Sequence, residues 1–249
     1  MKNKTVDARK IWRGVFYAVG MVVLACGIVL NTKSGLGVAP IVSVPYTVSE
    51  LTGLNFSNLT FAWYCLFIVG EFVLRGKNRQ WKDLLQLPVS YVFTRFMNMF
   101  SVYLNVNQEV VQGWCHSFFG IFGLDITLHH YIAGGLIAFT AVAITGVGIV
   151  LSTNMRVVPN AGDGIVQALS DVTHIKQGNM KNIFDISCAC ISLIMGFVFG
   201  GRLYGVGAAT VIALLFTGIA VTICNKLFTK RVMKLCYTQE DWVKYTADI

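Results

Sequence analysis

The stretch "GIVLNT", Gly27–Thr32, returns as "GIVLST", Gly148–Thr153, 121 positions later in a chain of 249 residues. Sliding the chain on itself by that offset, without gaps, gives more. Ser49, Thr52 and Asn58 fall on Ser170, Thr173 and Asn179, and Glu50 falls on Asp171. The 32 positions from Gly27 to Asn58 hold eight identities, where ordinary residue usage yields about two or three. Apolar bias accounts for a shared GIVL block. It does not account for a Ser–acid–x–Thr block at the same offset. The chain therefore reads as two copies of one unit.

Composition says what kind of unit. Hydrophobic residues make up 55% of the chain, charged residues only 13%, and the mean hydropathy is +0.63. Soluble domains carry about 25% charged residues, so this chain has no polar coat to present to water. An integral membrane protein is expected, with the lipid bilayer as its first partner. The net charge of +8 does not point to nucleic acid. The basic residues stand at the chain ends and in loops between apolar runs, and no basic stripe marks a soluble segment.

Six segments have the length and apolarity to cross a core of about 30 Å as helices. They are approximately Ile11–Leu30, Asn58–Leu74, Leu84–Leu104, His129–Leu151, Lys181–Gly200 and Tyr204–Phe228. Lys and Arg collect before span 1, after spans 2 and 4, and after span 6, while Asn105–Leu128 contains none. The positive-inside rule then places both termini in the cytoplasm and that loop outside, in the cell (inner) membrane. Only Arg202, in a short outer turn, departs from it. "VLAC" at Val23–Cys26 sits as a lipoprotein box would. The apolar run continues past it, so a retained first helix is expected.

The fold class expected is thus an all-α membrane protein with six transmembrane helices in a 3+3 inverted-topology repeat. Residues 1–10 form a cytoplasmic segment, 11–104 the first repeat, 105–128 the outer loop, 129–228 the second repeat and 229–249 a cytoplasmic tail. Three spans is an odd number, so the second copy enters the membrane from the opposite side. After spans 1 and 4 the sequence breaks at "SGLGVAP" (Ser34–Pro40) and "VVPNAGDG" (Val157–Gly164). A short apolar i, i+4, i+7 pattern follows each break: Val44, Val48, Leu51 and Ile165, Leu169, Val172. Each short helix is interfacial or re-entrant. Corresponding Gly/Pro breaks in inverted repeats point to a substrate site between them. Small residues mark spans 1 and 4, at Gly20 and Gly27 and at Gly134, Ala138, Ala141, Thr145 and Gly148. They are expected to pack helices closely, where spans 1 and 4 cross.

"GIVLNTKSGLGVAP" and "GIVLSTNMRVVPNAGDGIVQALSD" resemble the YczE/YyaS/YitT family of bacterial membrane proteins over roughly Arg13 to Phe228. The resemblance implies the membrane fold and brings no activity or substrate. In that pattern an acidic or polar residue often follows the Pro-containing turn. Asp163 fills that place in the second half, and Val42 or Ser43 in the first, so the halves have diverged there.

One span carries charge at mid-depth. Arg95 lies about twelve residues into span 3, and an arginine there costs at least about 2.5–3.5 kcal/mol unless it faces protein or water. Gln86, Ser90, Tyr91, Thr94, Asn98 and Ser101 share its polar face, and Pro88 is expected to kink the helix below them. Arg95, Asn98, Thr94 and Tyr91, with Asp163 and Asn160 from the second break, are therefore candidate substrate-binding residues. Arg95 either holds an anionic or zwitterionic solute or pairs with a buried acid. Glu71 and Asp185, each about one turn from the cytoplasmic surface, are candidate charge partners or snorkel to the interface. Asp163 either meets Arg95 or serves as N-cap of its short helix.

Other chemistry is not indicated. Seven cysteines form no CxxC pair, and Cys115 beside His116 is too little for a metal site. His129 and His130 read as interface residues or a pH sensor. No GxSxG or HExxH motif occurs, and "GLGVAP" lacks dinucleotide spacing. No enzyme, cofactor or metal is expected. The leading expectation is a small-solute transporter or permease. The alternative is a membrane scaffold or regulator without transport.

Overall fold

Helix accounts for the regular structure of the described residues, 2–76, 81–104 and 126–237, of this computed structural model. In chain order the helices are α1 (Lys2–Lys33), α2 (Ser43–Thr52), α3 (Phe56–Arg75), α4 (Gln86–Tyr103), α5 (Ile126–Thr153), α6 (Ala161–Thr173), α7 (Gln177–Gly200) and α8 (Ala208–Cys236). Short 3₁₀ turns, Pro40–Val42 and Trp81–Leu85, lead into α2 and α4. The helices α1, α3, α5, α7 and α8 each contain a stretch long and apolar enough to cross a membrane. Their outward faces carry large apolar side chains such as Leu66, Val69 and Val73 on α3 and Ile194, Phe197 and Val198 on α7. An apolar exterior of this extent is stable against lipid and not against water. The chain is a multi-pass membrane protein.

The expected third span differs. Leu84–Leu104 becomes the end of a 3₁₀ turn and then α4, which does not join the five strongly apolar helices. Gln86, Ser90, Thr94, Arg95 and Asn98 dilute its hydropathy. Pro88 does not kink it, because α4 begins at Gln86 and the proline falls in the first turn, where no intrahelical N–H bond is lost. The first and last helices continue beyond their apolar stretches, α1 starting at Lys2 and α8 ending at Cys236. Cys115 and His116 lie outside the described residues, as do most of the outer loop and the end of the tail.

The offset of 121 reappears in three dimensions. Ala39 and Asn160 stand immediately before the first turns of Pro40–Val42 and α6. Asn55 and Lys176 precede α3 and α7, and Gly53 and His174 end α2 and α6 in the left-handed conformation. Side-chain bonds follow the same register. Ser49 Oγ donates to the Leu54 carbonyl at 2.7 Å, and Ser170 Oγ to that of Ile175 at 2.6 Å. Thr52 donates to Val48 and Thr173 to Leu169, each at 2.7 Å. The Ser and Thr of the sequence block thus close the same turn twice.

Contacts between the halves are reciprocal. Helices α1 and α5 cross so closely that a Cβ on Gly27 would lie 2.7 Å from Thr145 N, and one on Gly148 would lie 2.5 Å from Leu24 N. Gly148 is the counterpart of Gly27, and Thr145 that of Leu24. The short helices exchange partners in the same way. α2 packs on α7, and α6 packs on α3. Ser192 Oγ donates to the Ser43 carbonyl at 3.2 Å, while Gly164 abuts Glu71, and these pairs too are counterparts.

Candidate functional site

Where α1 and α5 cross, a cavity of about 70 Å³ opens between the starts of the two broken segments. That is room for a few water molecules. Its wall is paired by the offset: Leu24 with Thr145, Ile28 with Ile149, Ala39 with Asn160, Ile41 with Gly162, and Tyr64 with Asp185. Residues one offset apart thus line it from both halves. The two halves contribute unequally. The first brings Leu24, Ala39, Ile41 and Tyr64. The second brings Thr145, Asn160, Asp185 and, beyond the paired positions, Asp163 and Lys181.

The charged groups form a loose triad. Lys181 Nζ lies 3.6 Å from Asp185 Oδ2, one helical turn along α7, and 4.0 Å from Asp163 Oδ1 on α6. Asn160 precedes α6, and its carbonyl accepts from the Asp163 and Gly164 amides at 2.9 and 2.8 Å. Asp163 therefore stands in the first turn, where the helix N-terminus favours a carboxylate. It is not the N-cap. Polar capacity remains unused around the cavity. Tyr64 is fully buried with its hydroxyl beside the Asn160 side chain, and neither it nor buried Asn160 Oδ1 and Asp185 Oδ1 makes a hydrogen bond of good geometry. Buried polar atoms without partners are rare and ask for an explanation.

Glu71 enters a different cluster. It is fully buried on α3, 3.1 Å from Arg75 Nη2, and it accepts from Gln86 Nε2 at 2.8 Å. Arg75 Nη1 reaches Asp83 at 2.9 Å. Glu71 does not snorkel, because α6 covers it. A Cβ on Gly164 would sit 2.6 Å from Glu71 Oε2, so a larger residue there would have to push the Glu71 and Gln86 side-chain ends aside. Asp185 does not snorkel either. It lies beside the cavity, 14% exposed at its side chain.

The expected polar face of α4 splits in two. Gln86, Ser90 and Thr94, spaced by four, turn inward and are fully buried. Thr94 donates to the Tyr91 carbonyl at 2.9 Å. Tyr91, Arg95 and Asn98 face the first turn of α3 instead. Arg95 donates to Asn58 Oδ1 and lies 5.2 Å from the centre of the Tyr91 ring. Asn98 accepts from Asn55 Nδ2 at 2.8 Å, while Asn55 caps α3 through the Asn58 amide. Arg95 therefore does not meet Asp163. Of the residues expected to bind solute, Asp163 and Asn160 line the cavity, joined by Asp185, and Arg95, Asn98, Thr94 and Tyr91 do not.

Two cavity residues were not anticipated from sequence, Lys181 and Tyr64. Both had a signal. Lys181 and Asp185 are one turn apart, the spacing of a helical ion pair, and the offset applied to Asp185 lands on Tyr64. A larger groove of about 830 Å³ runs between α3 and α4, lined by residues such as Cys65, Val69, Phe72 and Leu87. It has no charged lining residue and follows the outward apolar face of α3, so it is lipid-like in character.

No curated protein and no solved structure matches the chain. Residues 11–226 match the model of a family of unknown function, DUF6198. That span takes in all five strongly apolar stretches but for two residues at the start of the first and one at the end of the last. The chain therefore belongs to the DUF6198 family.

Proposed function

We propose that this protein is a secondary transporter for a small charged solute, built as a 3+3 inverted-topology repeat, with its site in the cavity between the repeats. The observation that carries the reading is the cavity itself. It joins an ion triad and unpaired buried oxygens at the point where the starts of both broken segments meet. Substrate sites of inverted-repeat transporters are formed in this way, by discontinuous helices near mid-membrane. In this reading α4 is the sixth crossing, its polar face turned to protein, and the short helices are re-entrant. Leu24 and Thr145 lie near the middles of the stretches Arg9–Lys33 and Tyr131–Thr153, which supports mid-membrane depth for the cavity.

Both termini face the cytoplasm of the inner membrane in this arrangement, by the distribution of Lys and Arg. Kinship with the YczE/YyaS/YitT proteins belongs to the same reading and rests on the shared sequence pattern. An anionic solute lost its main support when Arg95 fell outside the cavity. Two carboxylates and one ammonium suit a solute with a positive group.

Reconstitution into liposomes tests the reading. A panel of small labelled cations, zwitterions and anions is offered, and at least one class is expected to accumulate. Asp185→Asn should abolish that uptake and Arg95→Ala should leave it intact. Uptake that survives Asp185→Asn, or depends on Arg95, removes the cavity from the mechanism.

A further inference from the structure

We infer that the cavity is a binding site for one monovalent metal cation, in competition with a proton on Asp185. The inference rests on reading the cavity as the transport site and names what occupies it.

Charge comes first. Asp163 and Asp185 carry two negative charges and Lys181 one positive. The N-terminus of α6 adds roughly half a positive charge. The 3₁₀ turn before α2 adds little, because Pro40 has no N–H to offer. The sum is about half a negative charge, in a cavity whose remaining walls are apolar or bear hydroxyls. One monovalent cation changes that sum to about half a positive charge, and a divalent cation to about one and a half.

Hydrogen-bond capacity points the same way. Among the cavity-lining residues the atoms without a hydrogen bond of good geometry are oxygens: Asp185 Oδ1, Asn160 Oδ1 and Tyr64 Oη. They lack something to accept from or coordinate to. Carboxylate, amide and hydroxyl oxygens are the ligands hard cations select. Tyr64 and Asp185 are counterparts from the two halves, so the ligands come from both halves. The site is also reachable, since the side chains of Lys181 and Asp163 are 34% and 30% exposed.

A proton neutralises the same site by sitting on a carboxylate. Asp185 is the more buried acid of the two and has the unpaired oxygen. The exchange is balanced: Asp185–COOH plus M⁺ gives Asp185–COO⁻·M⁺ plus H⁺ released to water. The titratable groups facing Asp185 are Lys181 and Cys188 of its own helix, Asp163 of α6 and Tyr64 of α3. Helices α1, α5 and α8 present apolar or hydroxyl-bearing residues to the cavity, namely Leu24, Ile28, Thr145, Ile149, Ala213 and Thr217. The 3₁₀ turn before α2 presents Pro40 and Ile41.

The test is equilibrium binding to the purified full chain in detergent, read as the melting temperature. LiCl, NaCl and KCl are titrated against choline chloride at constant ionic strength. One alkali cation is expected to raise the melting temperature with saturation, and choline is not. Below the proton's midpoint, the apparent affinity should fall about tenfold per pH unit, as one-for-one competition requires. Asp185→Glu should keep the response and Asp185→Asn should lose it. Lys181→Met removes one positive charge, so it should bind the cation more tightly or accept Ca²⁺. Equal responses to all salts, affinity independent of pH, or a response to glycine alone would overturn the inference. These outcomes are separate from the flux assay. Cation binding without uptake of any solute leaves this inference standing and removes transport. Uptake indifferent to every alkali cation and to pH does the reverse.

Discussion

Two ion clusters in this molecule have the same formal composition, two carboxylates around one cation, and opposite geometry. In one, Arg75 reaches Glu71 and Asp83 at 3.1 and 2.9 Å, and Gln86 adds a bond to Glu71. In the other, Lys181 stays 3.6 and 4.0 Å from its acids beside open space. Helix α6 lies against both. Gly164 presses on Glu71, and Asp163, one residue earlier, faces Lys181. Charge content alone does not mark a site. The Arg75 cluster is a planar donor fork closed on short contacts, and it ties the turn before α4 to α3. The Lys181 cluster has longer contacts and open space beside it.

The comparison breaks first at Glu71. Glu71→Ala leaves Arg75 without its buried partner, and chemical unfolding in detergent should show a loss of about 3–5 kcal/mol. A loss under about 1 kcal/mol would mean that the cluster is not a tight buried pair. Next is Gly164→Ala, which drives a methyl into Glu71 and Gln86. It should cost about 1–3 kcal/mol by the same measurement. Gly162→Ala meets only the flexible end of Ile41 and should cost clearly less.

The loose cluster should respond in the other direction. Lys181→Met with Asp185→Leu replaces a poorly bonded pair by apolar groups. Unfolding should be unchanged or shifted toward higher stability by up to about 4 kcal/mol, with cation response and uptake gone. Destabilisation would place that pair in the structural class of Arg75. The smallest effect is expected at Arg95. It is half-buried against Asn58 and Tyr91, so Arg95→Ala should change stability by under about 1 kcal/mol, and the melting response to cations should stay as in the wild type.

Much of this was legible in the chain. The offset read from GIVLNT and GIVLST sets the helix starts at Phe56 and Gln177 and the crossing glycines at Gly27 and Gly148, because close backbone approach leaves no choice of residue. The breaks pointed to Asn160 and Asp163 for the same reason. Arg95 misled because periodicity tells which residues share a face and not which neighbour that face meets. The step of about 100° between neighbouring residues leaves Thr94 inward with Gln86 and Ser90 and Arg95 toward α3. Lys181 was hidden at the edge of an apolar run, where a lysine ordinarily reaches for the interface. Only the partner on α6, far away in sequence, shows otherwise.

The exchange of short helices has a consequence for biogenesis. A chain enters the membrane from its N-terminus, and α2 arrives long before α7, the helix it packs against. For that interval α2 has no seat, and the first half waits, incomplete, for about 125 more residues to be made. Residues 1–104 and 105–249 produced as separate polypeptides should be degraded singly and recovered as a pair, each completing the other across the seam.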